Sequence, residues 1–196
     1  FTELNFPPLF WTLDYTGTLY WSRETPSGYG NGSGSARFKF WSADVGTTQS
    51  LISNQFTPTS PGPIYLRFDY AYRFYLDGTG NLIQDSLGIF TSTNNGTTWT
   101  SLSTLKATQT PQDGINSTNN MTTASGTGEY TSPSNSEWGT KIFAFPLGTN
   151  KVKFTAYSSY GNNLFLDNIK TFLFVGSTEI KSEIPENCSL EQNYPN

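Results

Sequence analysis

The chemistry open to this chain is bounded first by a residue it lacks. The sequence holds no histidine. That removes Ser-His-Asp and Cys-His catalysis and every metal site built on imidazole. The one cysteine, Cys188, has no second cysteine to pair with and no local partner that would lower its thiol pKa. It reads as a bystander in a polar tail. No glycine loop followed by Lys-Ser/Thr is present to cradle a phosphate. Gly28-Tyr29-Gly30-Asn31-Gly32 is rich in glycine but precedes no helical pattern. Paired carboxylates can hydrolyse glycosidic bonds, and Asp and Glu together number 15. No acidic pair sits in a recognisable catalytic frame. The chain is read as non-catalytic.

What remains is binding chemistry, and it concentrates on one stretch. Ile64, Leu66, Phe68, Tyr70, Tyr72, Phe74 and Leu76 alternate strictly with Tyr65, Arg67, Asp69, Ala71, Arg73 and Tyr75. That is the period of a long strand with one buried face and one wet face. On the wet face Tyr65, Arg67, Asp69, Arg73 and Tyr75 would stand in a row. Rings stack on sugar faces, and Arg and Asp hydrogen-bond hydroxyls, so the row is a candidate ligand or subunit contact. The plainer reading is a solvated sheet face with cross-strand ion pairs. Asp167 is a second site of interest. It lies in an apolar strand, and a buried carboxylate is expensive unless it is partnered.

The elements that must position these residues read as strands. Aromatic residues make up 16% of the chain and charged residues 13%, with no long 3.6-residue apolar period. Strands are predicted over Leu9–Tyr15, Ala36–Trp41, Ser50–Phe56, Ile64–Leu76, Ser86–Ser92, Thr98–Leu105, Lys141–Phe145, Lys151–Tyr157 and Asn163–Val175. Pro61-Gly62-Pro63, Asp77-Gly78, Asn95-Gly96 and Gly161-Asn162 supply turns between them. The pattern predicts an all-β, antiparallel two-sheet β-sandwich or jelly roll. Residues 27–35 read as a Gly/Ser loop. Residues 106–138 show no strand signature and carry three readings: a mobile insertion, a contact surface, or strands too short to register. The domain is expected over 1–175, with 176–196 an extended linker. The formal charge of -4 gives no basic footprint for nucleic acid. No apolar run approaches the roughly 18 residues of a membrane span, so no membrane insertion is expected.

Three separated segments resemble one family. Glu3-Leu4-Asn5-Phe6-Pro7-Pro8 with Trp11, Asp85–Phe90 followed by Ser92–Trp99, and Leu164-Phe165-Leu166-Asp167-Asn168-Ile169 are similar to the opening, the Asp-box-like hairpin and the closing strand of bacterial MAM-like modules. These include the choice-of-anchor J and cleaved-adhesin domains. The resemblance implies a secreted jelly roll, usually a non-catalytic appendage. It also implies a metal near the first and last strands. By position Glu3 and Asp167 would be its ligands, and calcium its natural ion. Asn168 stands where that family pattern has a second Asp. The last residues, Ser189 to Asn196, resemble the start of a type IX secretion sorting domain. That resemblance implies a bacterial protein at the outer cell surface or beyond it, with the numbering starting at a mature or trimmed end. Two roles are carried forward. One is a structural or adhesive protein that self-associates, into fibres in the fullest form, through residues 1–8 and 176–196. The other is a carbohydrate-binding module that takes a glycan.

Overall fold

The computed structural model describes residues 5–57, 63–112, 114–116 and 118–173. Glu3, Cys188 and the tail 176–196 lie outside the described residues. Within them the chain forms β1 (Thr12–Asp14), β2 (Ser22–Glu24), β3 (Ser35–Phe38), β4 (Thr48–Ile52), β5 (Ile64–Tyr72), β6 (Tyr75–Leu76) and β7 (Leu82–Ile83). It continues with β8 (Ser86–Ser92), β9 (Thr100–Lys106), β10 (Gly114–Asn116), β11 (Gly139–Ala144), β12 (Lys151–Tyr157) and β13 (Leu164–Leu173). A five-stranded sheet runs β1-β4-β12-β8-β9, and a six-stranded sheet runs β10-β11-β5-β13-β3-β2. The ladders are antiparallel apart from β10 on β11, which is parallel. This is the expected all-β sandwich, with one short parallel pair added at an edge.

The core face of β5 follows its alternation. Leu66, Phe68, Tyr70 and Tyr72 are all fully buried. They pack with Leu51, Leu87, Ile89 and Phe154 of the other sheet. Phe68 meets Phe154 edge to face, with ring centroids 5.2 Å apart, the arrangement the ring quadrupoles favour. One end of the sandwich is tied by the buried Asp85. Its carboxylate accepts the Tyr72 hydroxyl at 2.9 Å and the backbone N–H groups of Ser159, Gly161 and Asn162 at 2.8, 3.2 and 3.0 Å. In the β8–β9 hairpin Asn95 and Gly96 both take positive φ, 59° and 88°, as a tight turn wants.

The opposite face of β5 is not wet. Ala71 is 0% and Asp69 2% exposed. A second cluster of Ala71, Ala124, Tyr130, Trp138 and Phe165 covers this part of the sheet. Most of the cover comes from residues 106–138, which are neither a free insertion nor a plain loop. They contain β10, and Met121 and Thr122 are fully buried. Their side chains satisfy their own backbone: Asn120 Nδ2 donates to Thr110 O at 2.7 Å, and Thr122 Oγ1 donates to Thr108 O at 2.8 Å. Such local bonds shape a Ser/Thr/Asn-rich stretch without any hydrophobic period. This cover also ends the long strand early. Past Tyr72, Arg73 bridges Ala124, and Tyr75–Leu76 pair with β7 in a separate hairpin. β1 is likewise shorter than predicted, because Trp11 N–H bonds Pro8 O at 2.9 Å and Phe10 takes φ 65°.

Candidate ligand groove

The uncovered half of this outer face is a groove built on three adjacent strands. Arg67 of β5 is the register partner of Ile142 on β11 and of Lys170 on β13, and Tyr65 is the partner of Phe172. Partners in register project to one face of a sheet. A β-bulge makes the β13 side possible. Asp167 pairs with Asp69 and Lys170 with Arg67, so β13 spends one more residue than β5 between those pairs. Asn168 absorbs it at φ 49°, a conformation that Asn tolerates better than most residues. Without the extra residue the period of two would turn Lys170 and Phe172 to the other face.

The groove has two ends. Tyr65, Arg67, Ile142, Lys170 and Phe172 line a largely apolar cavity of about 530 Å³. Tyr65 stacks on Phe172 with centroids 5.6 Å apart and planes 26° from parallel. Arg67 and Lys170 also line the adjoining polar cavity of about 500 Å³, with Tyr29, Asn31, Asp69 and Asn168. There Asp69 accepts Thr140 Oγ1 at 2.6 Å and Asn168 Nδ2 at 2.8 Å. Arg67 Nη2 lies 3.9 Å from the same carboxylate. The Nε of Arg67 is buried and has no hydrogen-bond partner.

The predicted row is therefore divided. Tyr65, Arg67 and Asp69 do meet in one place. Arg73 is directed elsewhere: its guanidinium lies 3.3 Å from Glu137 and 4.4 Å from the centre of the Tyr130 ring. Tyr75 leaves the sheet altogether and meets Trp41 edge to face at 5.2 Å. Asp167 is wholly buried, and its Oδ2 accepts Gly28 N–H at 2.7 Å. Among the described residues no group of three or more His, Cys, Asp or Glu gathers as metal ligands. Lys170, Phe172, Asn168 and Gly28 were missed by sequence reasoning. Lys170 and Phe172 do fall two apart in a predicted strand, but the bulge that sets their face has no signal beyond an Asn following Asp167.

No family profile matches the chain, and no curated protein matches it. Solved structures do. The K1 cleaved adhesin domain of Lys-gingipain from Porphyromonas gingivalis W83 aligns with a TM-score of 0.54 and 16% identity, over 85% of this chain and 92% of that one. The K3 cleaved adhesin domain of the same protein gives 0.55 and 14%, over 84% and 92%. The chain has a cleaved-adhesin-like fold. TmCBM61, solved with β-1,4-galactotriose, aligns more loosely, with a TM-score of 0.47 and 12% identity over 86% of this chain and 90% of that one. In this cleaved-adhesin-like sandwich the groove lies across β11, β5 and β13, so strands rather than loops hold its residues.

Proposed function

We propose that the chain is a non-catalytic bacterial surface module, exported by the type IX route, that adheres by holding a glycan in the groove over β5, β11 and β13. The observation that carries this reading is the meeting, in one open groove, of the Tyr65–Phe172 ring pair with the polar end of Arg67, Lys170, Asp69 and Asn168, where the Nε of Arg67, like that of the other three arginines, has no acceptor. A buried donor left without an acceptor is costly. A sugar hydroxyl or carboxylate at the groove floor would supply the acceptor while its ring lies against Tyr65. With Arg67 and Lys170 both at the junction, acidic sugars are favoured over neutral ones. A glycan array followed by calorimetric titration tests this. Tyr65→Ala and Arg67→Ala are expected to weaken binding at least tenfold, about 1.4 kcal/mol, and Tyr75→Ala to leave it unchanged. Glycan binding indifferent to Tyr65→Ala, or no binding at all, rejects the reading.

Calcium at Glu3 and Asp167 belongs to the same proposal. Asp69 and Asp167 are direct cross-strand partners and both are buried. Like charges so close are eased by a cation. EDTA is expected to lower the melting temperature and calcium to restore it. An unchanged melting curve removes the ion.

Self-assembly is the second reading, and β9 is the observation that favours it. It is an edge strand of the five-stranded sheet. On its outer side the described residues pair it at Lys106, through Asn119, Asn120 and Met121. An open edge accepts a strand from a neighbour, and residues 1–8 or 176–196 of a second copy could provide one. Negative-stain images of the concentrated chain decide this. Fibres that vanish when the two ends are trimmed support assembly, and dispersed particles reject it.

A further inference from the structure

Lys141 is the least expected residue in the molecule. It is the third residue of β11 and the register partner of Phe68, so it faces between the sheets, and it is 0% exposed. Among the described residues no carboxylate pairs with it. Its Nζ sits 5.0 Å from the centre of the Tyr70 ring. It donates to Asn116 Oδ1 and, at 2.8 Å, to Thr118 O. Asn116 is the direct partner of Lys141 across the parallel β10–β11 ladder. The other half of the Asn116 amide is also unusual: its Nδ2 is buried and makes no hydrogen bond.

We propose that Lys141 and Asn116 condense into an isopeptide bond that staples β10 to β11. Lys141 Nζ, as the free amine, attacks Asn116 Cγ. A C–N bond forms, the bond from Cγ to Nδ2 breaks, and ammonia leaves, carrying one proton taken from Nζ. Nothing is oxidised or reduced, and no co-reactant is needed. The hydrogen bond to Oδ1 and the direct cross-strand pairing keep the amine beside the amide it would attack, the proximity that makes such a step effectively unimolecular. Thr118 Oγ1 lies 3.5 Å from Nζ and 3.2 Å from Asn116 Oδ1. Its hydroxyl can take the proton from Nζ and give its own to Oδ1, from which the proton passes to Nδ2 as the tetrahedral adduct collapses and ammonia departs. Burial pushes the Lys141 ammonium down to about 8, so free amine is present in mildly alkaline solution.

The energetics point the same way. Among the described residues the Lys141 ammonium has no counter-charge and the Asn116 NH2 group no acceptor, each a penalised species. Condensation removes both and leaves one neutral amide. It would also pin β10, a three-residue edge strand, to the sheet that carries the groove. That suits a module meant to hold a surface under load, although the bond stands on its own geometry and not on the glycan reading.

The test is intact-mass spectrometry of the chain after incubation at mildly alkaline pH. The expected mass is lighter than the sequence mass by one ammonia. Trypsin on the denatured chain then locates the bond. Asn116 and Lys141 lie on one peptide, 107–141. A linked Lys141 resists cleavage, giving peptide 107–151 lighter by ammonia, with no single-break fragments between the two residues. Asn116→Asp should lose water instead, and Lys141→Arg should show the full mass. A wild-type chain at full sequence mass, cleaved normally at Lys141, overturns the proposal whatever the variants do. So does an ammonia loss that maps to Asn95-Gly96, where a succinimide could form.

Discussion

Gly28→Ala tests whether the polar end of the groove is as tightly built as its distances imply. Gly28 opens the short turn at 28–30, and its φ is not positive, so space rather than backbone conformation demands glycine there. A Cβ on Gly28 would lie 2.7 Å from Asn168 Nδ2, 3.2 Å from Asp69 Oδ2 and 3.3 Å from Asp167 Cβ. Asn168 cannot simply swing away, because its amide bonds Asp69 at 2.8 Å from a bulge position. Either that bond breaks, or the turn lifts and Gly28 N–H leaves Asp167. Each is a bond to a carboxylate worth about 1.5–3 kcal/mol. The alanine recovers about 0.4–1 kcal/mol by restricting the unfolded chain. The net expectation is a loss of ~2 kcal/mol, read as a lower urea midpoint at an unchanged m-value. The decisive control is the double mutant. In an Asn168→Ala background the clash partner is gone, so Gly28→Ala should cost far less than it does alone. Wild-type stability in the single mutant, or simple additivity in the pair, would refute the reasoning.

Other expectations follow from single features of the fold. Trp138→Ala should cost about 3–5 kcal/mol, as truncating a large buried ring does; a denaturation midpoint within error of wild type would mean that this face of the sheet is wet after all. Burial pushes Asp85 up from 3.8 to about 6. The folded state therefore binds its proton more tightly than the unfolded chain. Its contribution to stability is full below about pH 4 and lost as pH rises through about 6. Melting curves across that window should fall less steeply with pH in Asp85→Asn than in wild type, from a lower starting stability. In the β8–β9 turn, Asn94 Oδ1 accepts Thr98 N–H and Ser92 Oγ, each at 2.9 Å. Asn94→Asp should hold its midpoint, because a carboxylate accepts the same donors. Asn94→Ala should lose about 1–2 kcal/mol, and equal effects of the two would remove the turn from the account.

Alternation made β5 legible, and it also placed the core: Leu66, Phe68, Tyr70 and Tyr72 are buried as their spacing demands. It misled on the other face because burial there is tertiary. Nothing in Tyr65-Arg67-Asp69-Ala71 distinguishes a wet face from one roofed by a distant segment. The roof itself gives no period, since the 106–138 stretch holds its shape through Thr and Asn bonds to its own backbone. The end of β5 was hidden for the same reason. The alternation runs on to Leu76, but the partner changes at Arg73, and a partner cannot be read from one strand. Asp167 was legible as a carboxylate in need of a partner. Its observed partner, Gly28, is 139 residues away in sequence, so only the fold could supply it. Lys141 was the least legible of all. It opens a predicted strand with no signal of its face, and only the register with the core residue Phe68 of β5 shows that it points inward.

The outer face of β5 is divided between a covered end and an open end. Its Ala71 end lies under Tyr130, Trp138 and Phe165, while its Tyr65 end lies open beneath the groove. Asp69 stands at the border, its oxygens held by Thr140 from β11 and Asn168 from β13. Gly28 closes the border from above with no room for a methyl group. A ligand pressing on Arg67 therefore meets a floor fixed by hydrogen bonds from both neighbouring strands and backed by an aromatic cluster. Such preorganisation lowers the ordering cost of binding. It also makes the groove and the fold hard to separate by mutation: changes at Asp69, Asn168 or Gly28 should disturb both together, and changes at Tyr65 or Phe172 should reach binding alone.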